Sequence, residues 1–172
     1  KNTSERQIFE LLEALSAFKN TGLIFTMPNA DTDGKKISEM IRNFSKNNTN
    51  AILFNSLGQL RYLSCVKHVD AVVGNSSSGI AEVPSFKKPT INIGDRQKGR
   101  LKAKSVIDCD PIKDSIFYAI KRAFSEEFKL EVQGSINPYG NGGASNEVLK
   151  ILENIEFENI LKKSFYDLES IL

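Results

Sequence analysis

The sequence is poor in the residue types that mark several common classes of protein. Its 172 residues include no tryptophan, one histidine (His68) and two cysteines, Cys65 and Cys109. The cysteines are far apart and lack the spacing of a zinc site, so we expect two reduced, partly buried thiols and no disulfide scaffold. A formal net charge of +2 without a basic cluster argues against a nucleic-acid-binding protein.

Long apolar runs are also absent. No segment has the length of a bilayer span or the pattern of a signal peptide, which predicts a cytoplasmic protein without a membrane partner. With 40% apolar and 26% charged residues, the composition is typical of a soluble globular domain. The chain starts at Lys1 with a helical pattern rather than a strand, and we therefore expect a fragment of a longer polypeptide.

Short apolar runs alternate with helical patterns along the chain. The runs predict five strands, of which the first looks buried, at residues 23–27, 51–54, 71–73, 90–93 and 105–108. Helical spacing predicts helices before and between them, a brief one at Leu60 and Leu63, and later ones around 112–124, 148–152 and 160–172. This alternation predicts an α/β fold: a Rossmann-like parallel sheet with helices on both faces, and ligands beyond the carboxyl ends of the strands.

The most informative segment is GNSSSGIAE, at residues 74–82, which follows the third strand and opens a helix. Backbone N–H groups point outward at such a turn, and the helix start favours an anion. Ser76, Ser77 and Ser78 add hydroxyl donors, while Gly79 lets the backbone approach closely. The alternative is that the serines only cap the helix. Because one serine would suffice for a cap, three in a row favour a phosphate or diphosphate site.

Two further features have open alternatives. Glu82 lies one turn into the helix, where it can accept hydrogen bonds from ribose hydroxyls or act as a favourable charge near a helix start. The basic loop, residues 94–100, has two arginines and a lysine between glycines. Arginine suits phosphate recognition, although a solvated loop has the same composition.

The spacing of residues argues against two other chemistries. The loop at residues 28–35 has carboxylates but lacks the downstream glutamate of a calcium loop, so we predict no metal site. A serine hydrolase would need G-x-S-x-G, but Ser78 stands in place of the second glycine. His68 also precedes the serines, whereas hydrolases with that turn bring their histidine in late. We expect His68 at the solvent edge before a strand.

The run from residue 74 to residue 100, GNSSSGIAEVPSFKKPTINIGDRQKGR, closely resembles UDP-N-acetylglucosamine 2-epimerases, particularly their hydrolysing branch. PNADTDGK from Pro28 and NPYGNGGAS from Asn137 are also similar to this family. The resemblance covers nearly the whole chain. It implies an enzyme that releases UDP and an N-acetylmannosamine-type sugar for sialic or related nonulosonic acids. The sugar of the substrate is left open between N-acetylglucosamine and a 2,4-diacetamido trideoxy relative.

The family has two Rossmann-like domains in a GT-B arrangement, with the active site in the cleft between them. This chain resembles only the C-terminal domain, so residues 1–156 are expected to bind UDP. Residues 157–172 would form a helix that crosses to the missing N-terminal domain, and the apolar residues of that helix leave self-association open. The implied partners are UDP, a UDP-N-acetylhexosamine and that missing domain.

The resemblance also implies roles for individual residues. The three serines with Gly79 would hold the diphosphate, and Glu82 the ribose. The uracil would contact the Leu57 backbone and Tyr62. Weaker candidates around the cleft are Asn29, Lys35 and Arg96.

The family's catalytic carboxylates belong to its first domain, and its functional histidine lies just before the point where this chain begins. His68 does not match that histidine. We therefore assign no catalytic residue and no cofactor, and we expect an enzyme at full length but an inactive fragment. Two alternatives are a stand-alone nucleotide-binding regulatory domain and the UDP-sugar-binding half of a GT-B glycosyltransferase. The run at 74–100 argues against the glycosyltransferase.

Overall fold

The computed structural model describes residues 4–27 and 34–158, which belong to two compact units. The first unit ends at Gly140 and the second begins at Asn141. None of the described helices is both long and apolar enough to cross a membrane.

The first unit alternates strands and helices, as predicted. Its strands are β1 Leu23–Thr26, β2 Ala51–Phe54, β3 Val72–Gly74, β4 Thr90–Ile93 and β5 Val106–Cys109. Its helices are α1 Ser4–Leu15, α2 Gly34–Asn47, α3 Gly58–His68, α4 Ser78–Ala81, the 3-10 helix Val83–Phe86, α5 Lys113–Ala123 and α6 Glu126–Gln133. The second unit contains α7 Ala144–Asn154. The predicted final helix, 160–172, lies outside the described residues.

All strand pairs are parallel, which confirms the predicted α/β class. β1 pairs with β2, and β4 lies between β3 and β5. The sequence predicts one sheet, whereas the described strands form two ladders. Residues of both β1 and β3 line a single cavity of about 820 Å³. Every predicted strand matches an observed one within one residue at each end.

Strand β4 is the buried centre of the three-stranded ladder, and its side chains alternate between two roles. Ile91 and Ile93 enter the apolar core with residues of α5 and α6 such as Ile116 and Phe128. Thr90, on the opposite face of the strand, is only 2% exposed. The buried apolar residues fix the position of β4. The buried polar face of β4 is therefore a fixed surface against which the segment after β3 packs.

Thr90 attaches α4 to this face of β4. Its hydroxyl donates to the Gly79 carbonyl oxygen at 2.7 Å. Gly79 has no side chain, and a Cβ built there would lie 2.7 Å from Thr90 Cγ2, well inside contact distance. The glycine in the serine motif is thus required by close packing against β4.

Two sequence-based expectations need correction. The first strand does not have the burial predicted for it, since Ile24 in β1 is 48% exposed. Phe25 packs on Phe44 of α2 with ring centroids 5.7 Å apart, but the described residues leave the opposite face of β1 and β2 uncovered. In addition, α3 is a helix of 11 residues, longer than the brief helix predicted at Leu60 and Leu63.

Helix α6 was not predicted, although its start carries a signal. The Ser125 hydroxyl accepts a hydrogen bond from the Phe128 amide, and acidic residues fill the first turn of the helix. The two cysteines are free and half-buried, as predicted. Burial, together with the nearby Asp110 and Asp108 carboxylates, raises the pKa of the Cys109 thiol to about 11.

The pKa of Cys109 predicts slow alkylation near neutral pH, because the thiolate is the reactive form. In a Cys65→Ser variant, the iodoacetamide rate at Cys109 should keep rising up to about pH 11. Folding raises this pKa from its ordinary value of 9.0, so the thiol's contribution to stability is complete below pH 9.0 and is lost as the pH rises through about 11. A rate that is half-maximal near pH 9.0 would show that the thiol is not desolvated.

Gly79→Ala should destabilise the protein by about 1–3 kcal/mol, the usual cost of overpacking a buried position. Thr90→Ser removes the clashing methyl group and keeps the hydroxyl, so it should recover part of that loss in the double variant. Gly134→Ala is the control, because Gly134 has φ −80 and a new Cβ would have only ordinary contacts there. Urea unfolding midpoints are compared for the wild type, the three single variants and the double variant. Equal losses for Gly79→Ala with and without Thr90→Ser would contradict the packing argument.

Candidate functional site

The serine turn, defined here as residues 75–78, connects β3 to α4. Its carbonyl oxygens are used internally: the Gly79 amide donates to the Ser76 carbonyl, and the Ala81 amide to the Ser77 carbonyl. The Ser76 hydroxyl accepts from the Ser78 amide at 3.3 Å. Ser77 is the N-cap of α4 but makes no side-chain capping bond. Capping therefore accounts for one serine hydroxyl and leaves the exposed Ser77 hydroxyl available to a ligand.

Helix α4 has only four residues and is followed at once by the 3-10 helix. Such a short helix has a small dipole, so the dipole argument made from the sequence contributes little here. The stronger feature is local. Among residues 4–27 and 34–158, no acceptor binds the amide N–H groups of Ser76 and Ser77. These two amides and the adjacent exposed hydroxyls are donors at one short turn, which suits an anion.

Two more buried polar side chains fix this segment, and the sequence analysis identified neither. Gln97 is 3% exposed, and its amide donates to the Asn75 carbonyl at 2.8 Å. Asn137 is 8% exposed and donates to the Ala81 carbonyl at 2.8 Å and to the Ser85 hydroxyl at 2.7 Å. The Asn137 loop was noted only as a family-like motif. The structure shows that this loop supports α4.

Gln97 also organises the basic loop. Arg100 donates to the Gln97 side-chain oxygen at 3.0 Å and lies 6.0 Å from the centre of the Tyr139 ring. Arg96 is exposed and lines the 820 Å³ cavity. The loop is therefore attached to the serine turn, and Arg96 is the arginine that it presents to the cavity.

Helix α3 brings Tyr62 to the serine turn. The Tyr62 and Ser78 hydroxyl oxygens are 2.5 Å apart, and either can donate. Burial raises the pKa of Tyr62; the Ser78 hydrogen bond opposes this rise, and Glu82 and Cys65 add to it. Glu82 is thus close enough to affect the phenol. It is the C-cap of α4, so the helix-start alternative for its charge applies only to the 3-10 helix that follows.

The cavity brings five of the predicted residues together. They come from α3 and its N-cap, from the serine turn and from the basic loop: Leu57, Tyr62, Ser76, Ser77 and Arg96. Ser78 and Gly79 open α4 directly after Ser77, outside the cavity lining, and the half-buried Glu82 follows that helix. Lys35 is exposed on the first turn of α2, away from the cavity lining, and Asn29 lies outside the described residues.

In the part of the chain that the structure describes, no group of three His, Cys, Asp or Glu side chains is placed to hold a metal ion. His68 is exposed at the end of α3, as expected for a residue before a strand. A second, more open cavity of about 730 Å³ lies at the ends of β4 and β5, where it is lined by residues such as Lys98 and Asp110.

Comparisons with known proteins agree with this architecture. In Campylobacter jejuni, a GDP/UDP-N,N'-diacetylbacillosamine 2-epimerase (hydrolyzing) is 46% identical over 170 residues, which are 98% of this chain and 44% of that protein. The polysialic acid biosynthesis protein P7 of Escherichia coli is 43% identical over 94% of this chain and 42% of its own length. The chain thus spans less than half the length of these curated relatives.

Solved structures share the fold at low sequence identity. The S. aureus MnaA–UDP co-structure superposes with a TM-score of 0.73 at 17% identity, covering 88% of this chain and 42% of that one. A Neisseria meningitidis UDP-GlcNAc 2-epimerase bound to UDP-GlcNAc gives 0.67 at 16% identity, covering 87% and 41%. A family model described as UDP-N-acetylglucosamine 2-epimerase matches residues 1–153. The chain belongs to the UDP-N-acetylglucosamine 2-epimerase family.

Proposed function

We propose that this chain is the UDP-binding part of a hydrolysing UDP-sugar 2-epimerase. The whole protein would release UDP and an N-acetylmannosamine-type sugar for sialic or related nonulosonic acid synthesis. The observation that carries the proposal is the cavity of about 820 Å³ whose lining includes Leu57, Tyr62, Ser76, Ser77 and Arg96. Supporting it, relatives named as hydrolyzing 2-epimerases match nearly the whole chain, and proteins of this fold have been solved with UDP and with UDP-GlcNAc.

The diphosphate is assigned to the serine turn. Ser76 and Ser77 supply exposed hydroxyls and the amide N–H groups that have no acceptor among the described residues. Arg96 adds a positive charge from the opposite loop. Hydrogen bonds to a charged oxygen are stronger than those between neutral groups, so these donors can hold a diphosphate even at a partly exposed turn.

The nucleoside is assigned to the α3 side of the cavity. Leu57 precedes α3 and Tyr62 lies on it, and both line the space next to the serine turn. Glu82 is half-buried beside Tyr62, where its carboxylate can accept hydrogen bonds from ribose hydroxyls. The uracil, ribose and diphosphate contacts thus follow one another from α3 to the basic loop.

Epimerisation at C2 needs a base that removes a proton and an acid that returns one. Among the described residues, His68 and Asp70 also line the cavity, but they lie at and just after the end of α3, and the proposed sites for uracil, ribose and diphosphate do not include them. We therefore assign no catalytic residue to this chain. Its chemical contribution is to hold the negative charge of the departing UDP, because donors fixed before the reaction stabilise charge that develops as the bond breaks. The sugar and the proton transfers are assigned to the part of the protein outside this chain.

Ser77→Ala should weaken UDP binding roughly tenfold or more, because it removes a hydroxyl donor to a charged group. Glu82→Gln should also weaken binding, by loss of a charged acceptor for the ribose. Ser64→Ala is the matched control, since Ser64 is an exposed serine on α3 that does not line the cavity. Isothermal titration calorimetry with UDP measures all three. If Ser77→Ala and Ser64→Ala bind UDP as the wild type does, the serine turn is not the nucleotide site.

Arg96→Ala should discriminate between ligands by their phosphate charge. The variant should lose more affinity for UDP than for UMP, because the arginine is assigned to the diphosphate. Arg61→Ala, at an exposed position on α3, is the control for a general change in charge. Calorimetry at fixed ionic strength is essential, since screening alters such contacts. If Arg96→Ala lost equal affinity for UDP and UMP, or if Arg61→Ala lost as much UDP affinity as Arg96→Ala, a direct contact between Arg96 and the diphosphate would be contradicted.

A further inference from the structure

The hydrogen bond between Tyr62 and Ser78 joins an element on the nucleoside side of the cavity to one on the diphosphate side. Tyr62 lies on α3, the helix on the nucleoside side, and Ser78 opens α4 at the end of the serine turn. Their oxygens are 2.5 Å apart, at the short end of hydrogen bonds between hydroxyls. Among the described residues, this is the only side-chain hydrogen bond between α3 and the serine turn.

Other anchors of the turn come from different directions. Thr90 ties Gly79 to β4, Asn137 ties Ala81 to the late loop, and Gln97 ties Asn75 to the basic loop. None of these three bonds involves α3. The separation between α3 and the turn is therefore set by the Tyr62–Ser78 bond and by the packing around it.

Ser78 also differs from its two neighbours in exposure. Ser76 and Ser77 are exposed and line the cavity, whereas Ser78 is half-buried and is not part of the lining. Its amide donates to the Ser76 hydroxyl, and its own hydroxyl is bonded to Tyr62. Three consecutive identical residues thus divide into two that face the cavity and one that faces α3.

We propose that Tyr62 is a positioning residue and that its hydroxyl bond to Ser78 is a latch that sets the distance between the nucleoside and diphosphate subsites. This inference rests on the proposed function, because it takes UDP as the ligand that occupies both subsites. Ser78 is then a tether rather than a direct ligand of the diphosphate. Tyr62 keeps its ring on the cavity and acts on the phosphate side only through Ser78.

The environment of the phenol suits this role. Burial and the neighbouring Glu82 raise the pKa of Tyr62, which keeps the phenol protonated and able to share a hydrogen bond with a neutral hydroxyl. A ligand that spans two subsites gains affinity when their spacing is fixed in advance, because less freedom is lost on binding. A ligand that occupies one subsite gains nothing from that spacing.

The test compares three ligands: UDP, uridine and inorganic pyrophosphate. Tyr62→Phe and Ser78→Ala should each lower UDP affinity about three- to tenfold, the range expected for one neutral hydrogen bond. The double variant should lose no more than either single variant, because both remove the same bond. The pyrophosphate affinity of both variants and the uridine affinity of Ser78→Ala, measured by NMR chemical-shift titration, should be unchanged. Ser78→Thr retains the hydroxyl and should restore UDP binding.

The outcomes separate this inference from the proposed function. Ser77→Ala should weaken the binding of both UDP and pyrophosphate, whereas Ser78→Ala should weaken the binding of UDP alone. If Ser78→Ala also weakens pyrophosphate, Ser78 is a direct ligand and the latch is wrong. Additive losses in the double variant, or a loss of uridine affinity in Ser78→Ala, would overturn it as well. These results leave the UDP site intact, whereas an unchanged UDP affinity in Ser77→Ala would overturn the site and the latch together. Urea midpoints confirm that each variant is folded.

Discussion

The candidate site depends on buried side-chain donors that reach the carbonyl oxygens of one short segment. Helix α4 is a single turn, and a single turn of helix does not hold itself together in water. Thr90, Gln97 and Asn137 donate to carbonyls at residues 79, 75 and 81, with each donor held by a different part of the fold. The apolar core matters to the site because it fixes β4, and β4 fixes Thr90.

This arrangement has a chemical consequence for the turn. Its carbonyl oxygens, which would repel an anion, are occupied by internal donors, while Ser76 and Ser77 are exposed and their amides have no acceptor among the described residues. A segment whose acceptors are satisfied and whose donors are exposed attracts negative charge without a long helix behind it. Because the donors are held by buried bonds, little rearrangement is needed when an anion binds, and positions fixed in advance are what a binding site requires.

The sequence predicts the order and class of the elements well, because short apolar runs that alternate with helical patterns are typical of parallel strands. It also identifies the serine motif, whose composition is unusual for a simple cap. It does not identify Gln97 or Asn137, because the partner of a buried amide is decided by tertiary contacts between distant segments. The exposed face of β1 was missed for the same reason, since an apolar run does not reveal which of its faces a neighbour covers.

The three serines show most clearly where sequence reasoning ends. In the sequence the three serines are equivalent, and the motif predicts that all three bind one anion. In the structure, Ser76 accepts a backbone amide, Ser77 is exposed without a capping bond, and Ser78 meets Tyr62. The chain rotates at each residue as it enters α4, so neighbouring side chains point in different directions and meet different partners. A motif of identical residues can therefore hold a ligand and also fix the geometry of the site that holds it.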